Sequence, residues 1–247
     1  MIRGPRPRES ALSRKTIIIT GAAGGLGSAL SRACAADGFN TVMLDCDRPG
    51  LERAWDRITG DGLPEPALYP LDLLGAGTEH FEELLDKVTE EFGGLDALVH
   101  CAARFEGLTP LEQFSPSEWL ASIQVNLNAA WLLSALSLPL LKKSESARLY
   151  FMLEDMASMN SAFWGAYGVS KTALMTLVNQ LAAECRSSRV QVLGINPGAL
   201  RSALRARVYH AENPGLQPKP ETAALKIMQF LNNDVIPETT FVDLSTD

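Results

Sequence analysis

Residues 16–27, TIIITGAAGGLG, join a short apolar run to a turn that holds four glycines. The run is apolar without alternation, which is typical of a strand buried on both faces of a parallel sheet. Gly21, Gly25 and Gly27 fall where a tight strand-to-helix turn needs glycine, because glycine permits positive φ and lets the backbone approach a pyrophosphate. The N-terminus of the following helix would then offer N–H donors to the phosphates. The stretch therefore predicts a dinucleotide-binding unit.

Short apolar runs alternate with longer amphipathic segments along the chain. Strands are predicted at residues 16–20, 41–45, 67–72, 96–102, 148–153, 190–195 and 239–244. Helices are predicted at residues 26–37, 48–60, 78–93, 115–141, 162–187 and 220–232. This order indicates an α/β fold, a Rossmann-type doubly wound parallel sheet of about seven strands flanked by helices on both faces. No linker or repeat divides it, so residues 15–247 are predicted to form a single dinucleotide-binding catalytic domain.

Composition bounds the class of protein. The chain has 247 residues, of which 46% are hydrophobic and 21% charged, which suits one large globular domain. A net charge of −7 argues against nucleic acid or an anionic membrane as the main partner. No uninterrupted apolar run approaches the roughly 18 residues of a membrane span, so none is expected. Residues 1–14 carry four arginines and are predicted to form a disordered N-terminal extension.

The number and spacing of the cysteines and histidines bear on the redox compartment and on whether a metal site is expected. The four cysteines are scattered, without a CxxC pair, and apolar neighbours around Cys34 and Cys101 favour buried free thiols. Free thiols predict a reducing compartment, and hence a cytoplasmic location. Three histidines far apart in sequence give no support for a metal site.

Asp45 ends the second predicted strand, 18 residues beyond Gly27. A carboxylate there accepts hydrogen bonds from the ribose hydroxyls of the adenosine and repels the 2′-phosphate of NADP. Gly24 and Cys46 stand at the positions where a base would hold that phosphate. We therefore predict NAD, rather than NADP, as the cofactor. The plainer alternative is a Gly-rich loop followed by a solvated acid.

Three further motifs follow along the chain. Asn126 lies in VNLNAAW, Tyr167 and Lys171 are four residues apart, and Asn196-Pro197-Gly198 follows the sixth predicted strand. Together with TGAAGGLG, these motifs resemble the short-chain dehydrogenase/reductase family in its single-domain form, and the resemblance covers the chain beyond residue 14. The resemblance implies interconversion of a small-molecule alcohol and a carbonyl by a homodimer or homotetramer.

The resemblance also implies roles for individual residues. Tyr167 would be the general acid/base, Lys171 its modulator and a ligand of the nicotinamide ribose, and Asn126 the holder of a water in a proton relay. An ammonium group one helical turn away favours the phenolate, so Lys171 is expected to lower the pKa of Tyr167. The implied cofactor contacts are Gly21, Gly25, Leu26, Gly27, Asp45, Asp72, Leu73, Ala102, Tyr167, Lys171, Pro197, Gly198 and Ser202.

Glu154 departs from the family pattern, in which a serine stands 13 residues before the tyrosine. An ionised carboxylate would oppose the phenolate and could pair with Lys171. A protonated one could donate a hydrogen bond to a carbonyl oxygen, as the serine hydroxyl would. Glu154 could instead bind a substrate amine or hydroxyl, or turn to solvent and leave the site impaired. Ser158, only nine residues before Tyr167, is a weak substitute for the serine.

Two other segments differ from the family. His100 lies in HCAA where the family has NNAG, and we interpret it as a buried structural histidine rather than a base. Residues 203–219 correspond to the segment that covers the substrate. Four basic residues in or next to this segment could meet an acidic substrate or Glu154, although a solvated basic helix face is favoured: Arg201, Arg205, Arg207 and His210. Two functions stay open: an NAD(H)-dependent oxidoreductase, or an impaired NAD(H)-binding protein that acts through association.

Overall fold

The computed structural model describes residues 14–232 and 237–245. The predicted N-terminal extension therefore lies outside the described residues, apart from Arg14. The strands are β1 (Thr16–Thr20), β2 (Asn40–Asp45), β3 (Ala67–Pro70), β4 (Ala97–His100), β5 (Ala147–Met152), β6 (Val190–Asn196) and β7 (Phe241–Asp243). The helices are α1 (Gly25–Ala36), α2 (Arg48–Gly60), α3 (Thr78–Phe92), α4 (Pro116–Ile123), α5 (Ala129–Leu141), α6 (Met156–Met159), α7 (Gly165–Glu184), α8 (Ala203–Val208) and α9 (Pro220–Leu231).

The seven strands form one parallel sheet in the order β3-β2-β1-β4-β5-β6-β7. The predicted doubly wound α/β fold is confirmed. The strand order reverses between β1 and β4, and in such sheets this point opens a crevice at the carboxyl ends of the strands. The crevice is where the predicted site residues are expected to meet.

The unbroken apolar strands are explained by two cores, one on each face of the sheet. Ile18 of β1 enters the core that α3, α5 and α7 cover. Its neighbours Ile17 and Ile19 enter the core that α1, α2 and α9 cover. Because successive side chains point to opposite faces, a strand buried on both sides has no polar face to display.

The segment from α4 to α5 corrects two sequence predictions. A single helix was expected, but a π-helical turn at Gln124–Asn128 joins α4 to α5. Among the residues that the structure describes, Pro116–Leu141 is the one helix with the length and mean hydropathy, 1.2, of a membrane span. The sequence prediction that the chain has no segment resembling a membrane span is therefore wrong, judged by length and composition alone. One such helix is weak evidence for a membrane, because core helices of soluble proteins meet the same criteria.

Candidate active site

A cavity of about 910 Å³ opens at the carboxyl edge of the sheet. One end is lined by the turn between β1 and α1 and by Asp45 and Asp72. The other end is lined by Glu154, Tyr167 and Lys171. The predicted cofactor contacts, together with Glu154, Tyr167 and Lys171, are therefore brought to a single cavity although they are far apart in sequence, whereas Asn126 does not line it.

The glycine turn is shaped by two of its glycines. Gly21 has φ of +67°, and a Cβ there would lie 2.6 Å from the backbone nitrogen of Ala102. A Cβ on Gly27 would lie 2.2 Å from the carbonyl oxygen of Gly21. Gly25 differs, since its nearest neighbour would be Pro220 Cγ at 3.4 Å, an ordinary contact. The fold of the turn therefore requires glycine at positions 21 and 27, whereas the missing side chain of Gly25 leaves space at the cavity wall.

Asp45 ties the glycine turn to the end of β2. Its Oδ2 accepts from the N–H of Ala23 at 3.0 Å, and its Oδ1 accepts from the N–H of Asp47 at 2.9 Å. Burial is the main cause that raises the pKa of the Cys46 thiol, and the negative charges of Asp45 and Asp72 raise it further. This end of the cavity is therefore acidic.

The remaining predicted cofactor contacts lie along the cavity wall. Ala102 donates its N–H to Thr20 Oγ1 at 3.2 Å, and Gly198, with φ of +76°, donates its N–H to Asn196 Oδ1 at 3.0 Å. Ser202 was expected to contact the cofactor, and its Oγ caps α8 by accepting from Arg205 N at 3.1 Å. Leu26, Leu73 and Pro197 also line the cavity.

Tyr167 and Glu154 are in direct contact at the other end of the cavity. The Tyr167 hydroxyl donates to Glu154 Oε1 at 2.5 Å. The phenol ring is buried, and Phe105 packs edge-on against it with ring centroids 5.1 Å apart. Glu154 is partly buried, so it does not turn away to solvent. The possibility of an outward-turned Glu154 is excluded by this contact.

Lys171 is held one helical turn from Tyr167. Its Nζ lies 5.5 Å from the Tyr167 ring centroid and donates to the carbonyl oxygen of Met152 at 2.7 Å. Burial lowers the pKa of Lys171, while the charge of Glu154 acts in the opposite direction. The ammonium group is therefore fixed by the end of β5 and does not contact the phenol oxygen through a hydrogen bond.

The protonation of Tyr167 differs from the sequence expectation. Burial raises the pKa of Tyr167 well above its usual value, and the charge and hydrogen bond of Glu154 raise it further. The expected lowering by Lys171 is therefore wrong for this structure. Desolvation and an adjacent carboxylate both disfavour the phenolate, and they outweigh an ammonium group that is itself buried.

Asn126 lies in the π-helical turn and is buried. Its Oδ1 accepts from Arg104 N at 2.7 Å, and its Nδ2 donates to Arg104 O at 2.9 Å and to Ser170 Oγ at 3.1 Å. The amide thereby joins the loop after β4 to α7. The π turn sets the orientation of the Asn126 side chain. The sequence does not predict this turn, because the helical periodicity continues through it.

His100 and Ser158 have structural partners. His100 Nε2 bonds Ser134 Oγ at 2.9 Å, and the ring stacks on Phe151 at 4.8 Å. Burial and the charge of Lys171 lower the pKa of His100 to about 3, so the ring is neutral. The interpretation as a structural histidine is confirmed. Ser158 donates its hydroxyl to Asp155 Oδ2 at 2.6 Å, which directs it to the cap of α6.

The segment after β6 folds over the cavity mouth. Arg205 makes a two-pronged ion pair with Glu212, at 2.6 and 2.8 Å, and Arg207 donates from Nη1 to the carbonyl oxygen of Phe105 at 3.3 Å. Both arginines line the cavity, but Arg207 is exposed and Arg205 is partly buried in its ion pair, so the favoured view of a solvated basic face is wrong only for Arg205. Sequence reasoning missed Phe105 and Trp164, which cover Tyr167, because no motif marks them.

A family model described as short chain dehydrogenase matches residues 15–213. The chain belongs to the short-chain dehydrogenase family. The predicted family is thereby confirmed, and with it the oxidoreductase class and the binding of a nucleotide cofactor.

Relatives of this short-chain dehydrogenase agree in sequence and fold. The oxidoreductase YciK of Escherichia coli K12 is 31% identical over 209 residues, which cover 85% of this chain and 82% of that protein. A short chain dehydrogenase structure from Pseudomonas syringae is 36% identical, with a TM-score of 0.88 over 96% of each chain. A structure from Shigella flexneri, solved with NADP, is 28% identical, with a TM-score of 0.88 over 96% of this chain and 98% of that one.

Proposed function

We propose that this short-chain dehydrogenase interconverts an alcohol and a carbonyl, with NAD(H) as the hydride carrier and Tyr167 as the general acid/base. The observation that carries the proposal is the convergence of Tyr167, Lys171 and the glycine turn on one cavity. A crevice at this edge of a doubly wound sheet is the usual place for a dinucleotide. The glycine turn lies at one end of that crevice and is suited to bind the phosphates of a nucleotide. The Tyr167 phenol lies at the other end and is suited to exchange a proton with the substrate.

Tyr167, Lys171 and Asn126 would each have a different role in such a reaction. When bound, the nicotinamide supplies or accepts the hydride. Tyr167 exchanges a proton with the substrate oxygen through Oη, the atom that donates to Glu154. Lys171 keeps a positive charge beneath the phenol, and Met152 O fixes its position. Asn126 orders the loop after β4, and in the predicted relay it would also hold a water.

The preference for NAD over NADP rests on Asp45. Its carboxylate lines the cavity close to Asp72, and a 2′-phosphate brought to this end would meet negative charge. Two arginines of α2, Arg48 and Arg53, are already paired with carboxylates at 3.0 and 3.5 Å. The NADP of the Shigella flexneri relative argues in the other direction, so the preference is tested directly by the Asp45 variant described below.

The test is a screen of aldehydes and ketones for loss of NADH absorbance. The wild type is expected to turn over at least one compound, and Tyr167→Phe to lower kcat by about 100-fold or more, because proton transfer is lost. The Kd for NADH should stay within about twofold, since the variant removes only a hydroxyl. Tyr69→Phe in β3 is the matched control. A wild type that binds NADH and reduces nothing would support the impaired NAD(H)-binding protein instead.

A homodimer or homotetramer is also proposed. Leu120, Trp131 and Val169 lie on α4, α5 and α7, and each is about half exposed or more. Apolar faces of this kind suit a symmetric interface, which sedimentation velocity would detect. The four cysteines are free, which supports the predicted cytoplasmic location.

A further inference from the structure

The contact between Glu154 and Tyr167 suggests how the proton leaves the site. We propose that Glu154 exchanges this proton with Tyr167 during turnover, so that it runs from the substrate oxygen through the Tyr167 hydroxyl to the Glu154 carboxylate. The proposal rests on the proposed function and names a further catalytic residue for it.

The direction of the hydrogen bond supports this route. A phenol oxygen has one proton and two lone-pair sites. In Tyr167 the proton is directed at Glu154 Oε1, 2.5 Å away. A short bond to a carboxylate is the geometry from which a proton transfers readily. The lone pairs of the same oxygen stay available to a substrate hydroxyl.

The alternative route through Lys171 and Asn126 is less well arranged. Lys171 donates to Met152 O at 2.7 Å and has no hydrogen bond to the phenol oxygen among the described contacts. The Asn126 amide makes three hydrogen bonds, to the backbone of Arg104 and to Ser170. Both residues hold the site in place, whereas Glu154 alone touches the proton that must move.

The protonation of Tyr167 points the same way. Burial and Glu154 raise the pKa of Tyr167, which makes a phenolate formed ahead of reaction unfavourable. If the phenol gives its proton to Glu154 as it takes one from the substrate, it stays neutral throughout. The buried ring then never has to carry a full charge.

The step balances in both directions. In oxidation, the substrate O–H bond breaks and its proton passes to Tyr167 Oη, while the Tyr167 O–H bond breaks and its proton passes to Glu154 Oε1. The hydride leaves carbon with its electron pair for NAD⁺. Glu154, partly exposed in the cavity, then releases the proton to solvent. Reduction reverses each transfer and needs a protonated Glu154 at the start.

Several charged groups surround Glu154 and bear on its pH dependence. Lys171 faces it from α7, and the charge of Glu154 also reaches Arg205 on α8. Asp155 follows it in the chain, and Arg104 lines the cavity from the loop after β4. None of these groups contacts Oε1 through a hydrogen bond in the described residues, so Tyr167 is the proton donor that Glu154 faces directly.

The test uses Glu154→Gln, which keeps an oxygen to accept from Tyr167 but cannot take its proton. With a carbonyl compound that the wild type reduces, kcat is expected to fall by about 100-fold or more, with the Kd for NADH unchanged. Wild-type kcat/KM for reduction should fall as the pH rises, because reduction begins with a protonated Glu154, whereas the Glu154→Gln variant should lack this fall. Formate should raise the activity of Glu154→Ala by about tenfold or more, since a small carboxylate can take the lost position.

The control is Glu184→Gln, which makes the same carboxylate-to-amide change at the exposed end of α7, outside the cavity lining. It should keep wild-type kcat and gain nothing from formate. The proposal is overturned if Glu154→Gln keeps its activity within about threefold, or if Glu154→Ser is more active than the wild type. A wild type that binds NADH but reduces no compound overturns the proposed function itself, and this proposal with it.

Discussion

The two ends of the cavity are built in different ways. At the cofactor end, Gly21 and Gly27 act through the backbone, by a positive φ and a close contact, and Asp45 accepts two backbone N–H groups. At the reaction end, Tyr167 and Glu154 act through side chains that come from α7 and from the loop after β5. The first end is fixed by residues close in sequence, and the second by the packing of separate elements.

This difference determines which substitutions each end can accept. A change at the glycine turn would move the backbone on which β1 and α1 depend. A carboxylate in place of a hydroxyl at position 154 would leave the backbone unaltered and change only charge and proton transfer. The fold can therefore accept a substitution at position 154 more readily than one in the glycine turn.

The largest expected effect on stability distinguishes two neighbouring glycines. Gly27→Ala should destabilise the fold by about 1–3 kcal/mol, because the new Cβ overlaps Gly21 O. Gly25→Ala should leave Tm nearly unchanged and weaken NADH binding about tenfold, since its Cβ fills the space left for the cofactor. Thermal unfolding and NADH fluorescence titration measure the two effects. Equal losses of Tm in both variants would contradict the steric account.

The buried His100 makes the stability of the fold depend on pH. Its pKa is about 3 when folded and about 6.5 in an unfolded chain, so below about pH 6.5 the unfolded state binds a proton that the folded state does not. The free energy of unfolding should therefore fall with pH from about 6.5 towards 3, by about 1.4 kcal/mol per unit, and be unaffected above 6.5.

Urea unfolding at about pH 7.5 and about pH 5.5 measures this fall in the free energy of unfolding. Between these two values the wild type should lose about 1.4 kcal/mol more than His100→Asn, which has no imidazole to protonate. His210→Asn, at an exposed position, is the control and should follow the wild type. A pH slope that His100→Asn shares with the wild type would assign the effect to other groups.

An effect of similar size concerns the choice of nucleotide. Asp45→Asn keeps one acceptor oxygen for the N–H groups of Ala23 and Asp47 and removes the negative charge. The ratio of kcat/KM for NADH to that for NADPH should fall about tenfold, equivalent to about 1.4 kcal/mol less repulsion of the 2′-phosphate. Asp61→Asn, which makes the same charge change at the end of α2, should leave the ratio unaltered. A wild type that prefers NADPH would show the NAD prediction to be wrong.

Much of the fold was predictable because it depends on local patterns. Each of the seven predicted strands is confirmed, including the weak β7, because unbroken apolar runs between amphipathic helices leave few other arrangements. The short helices α6 and α8 were missed, since four or six residues carry too little periodicity to read. The ion pair of Arg205 with Glu212 was missed because it depends on how the segment folds back over the cavity.

The sequence by itself determined the parallel sheet and the positions of Tyr167 and Lys171 on one face of a helix, because these follow from periodicity and spacing, and its motifs carried the resemblance to the family. Only the tertiary structure decided the state of the reaction end. It brought Glu154 to 2.5 Å from the phenol, and it buried the phenol while leaving Glu154 partly exposed. Burial and proximity set the energy of a charge, and neither can be read from the distance between two residues along the chain.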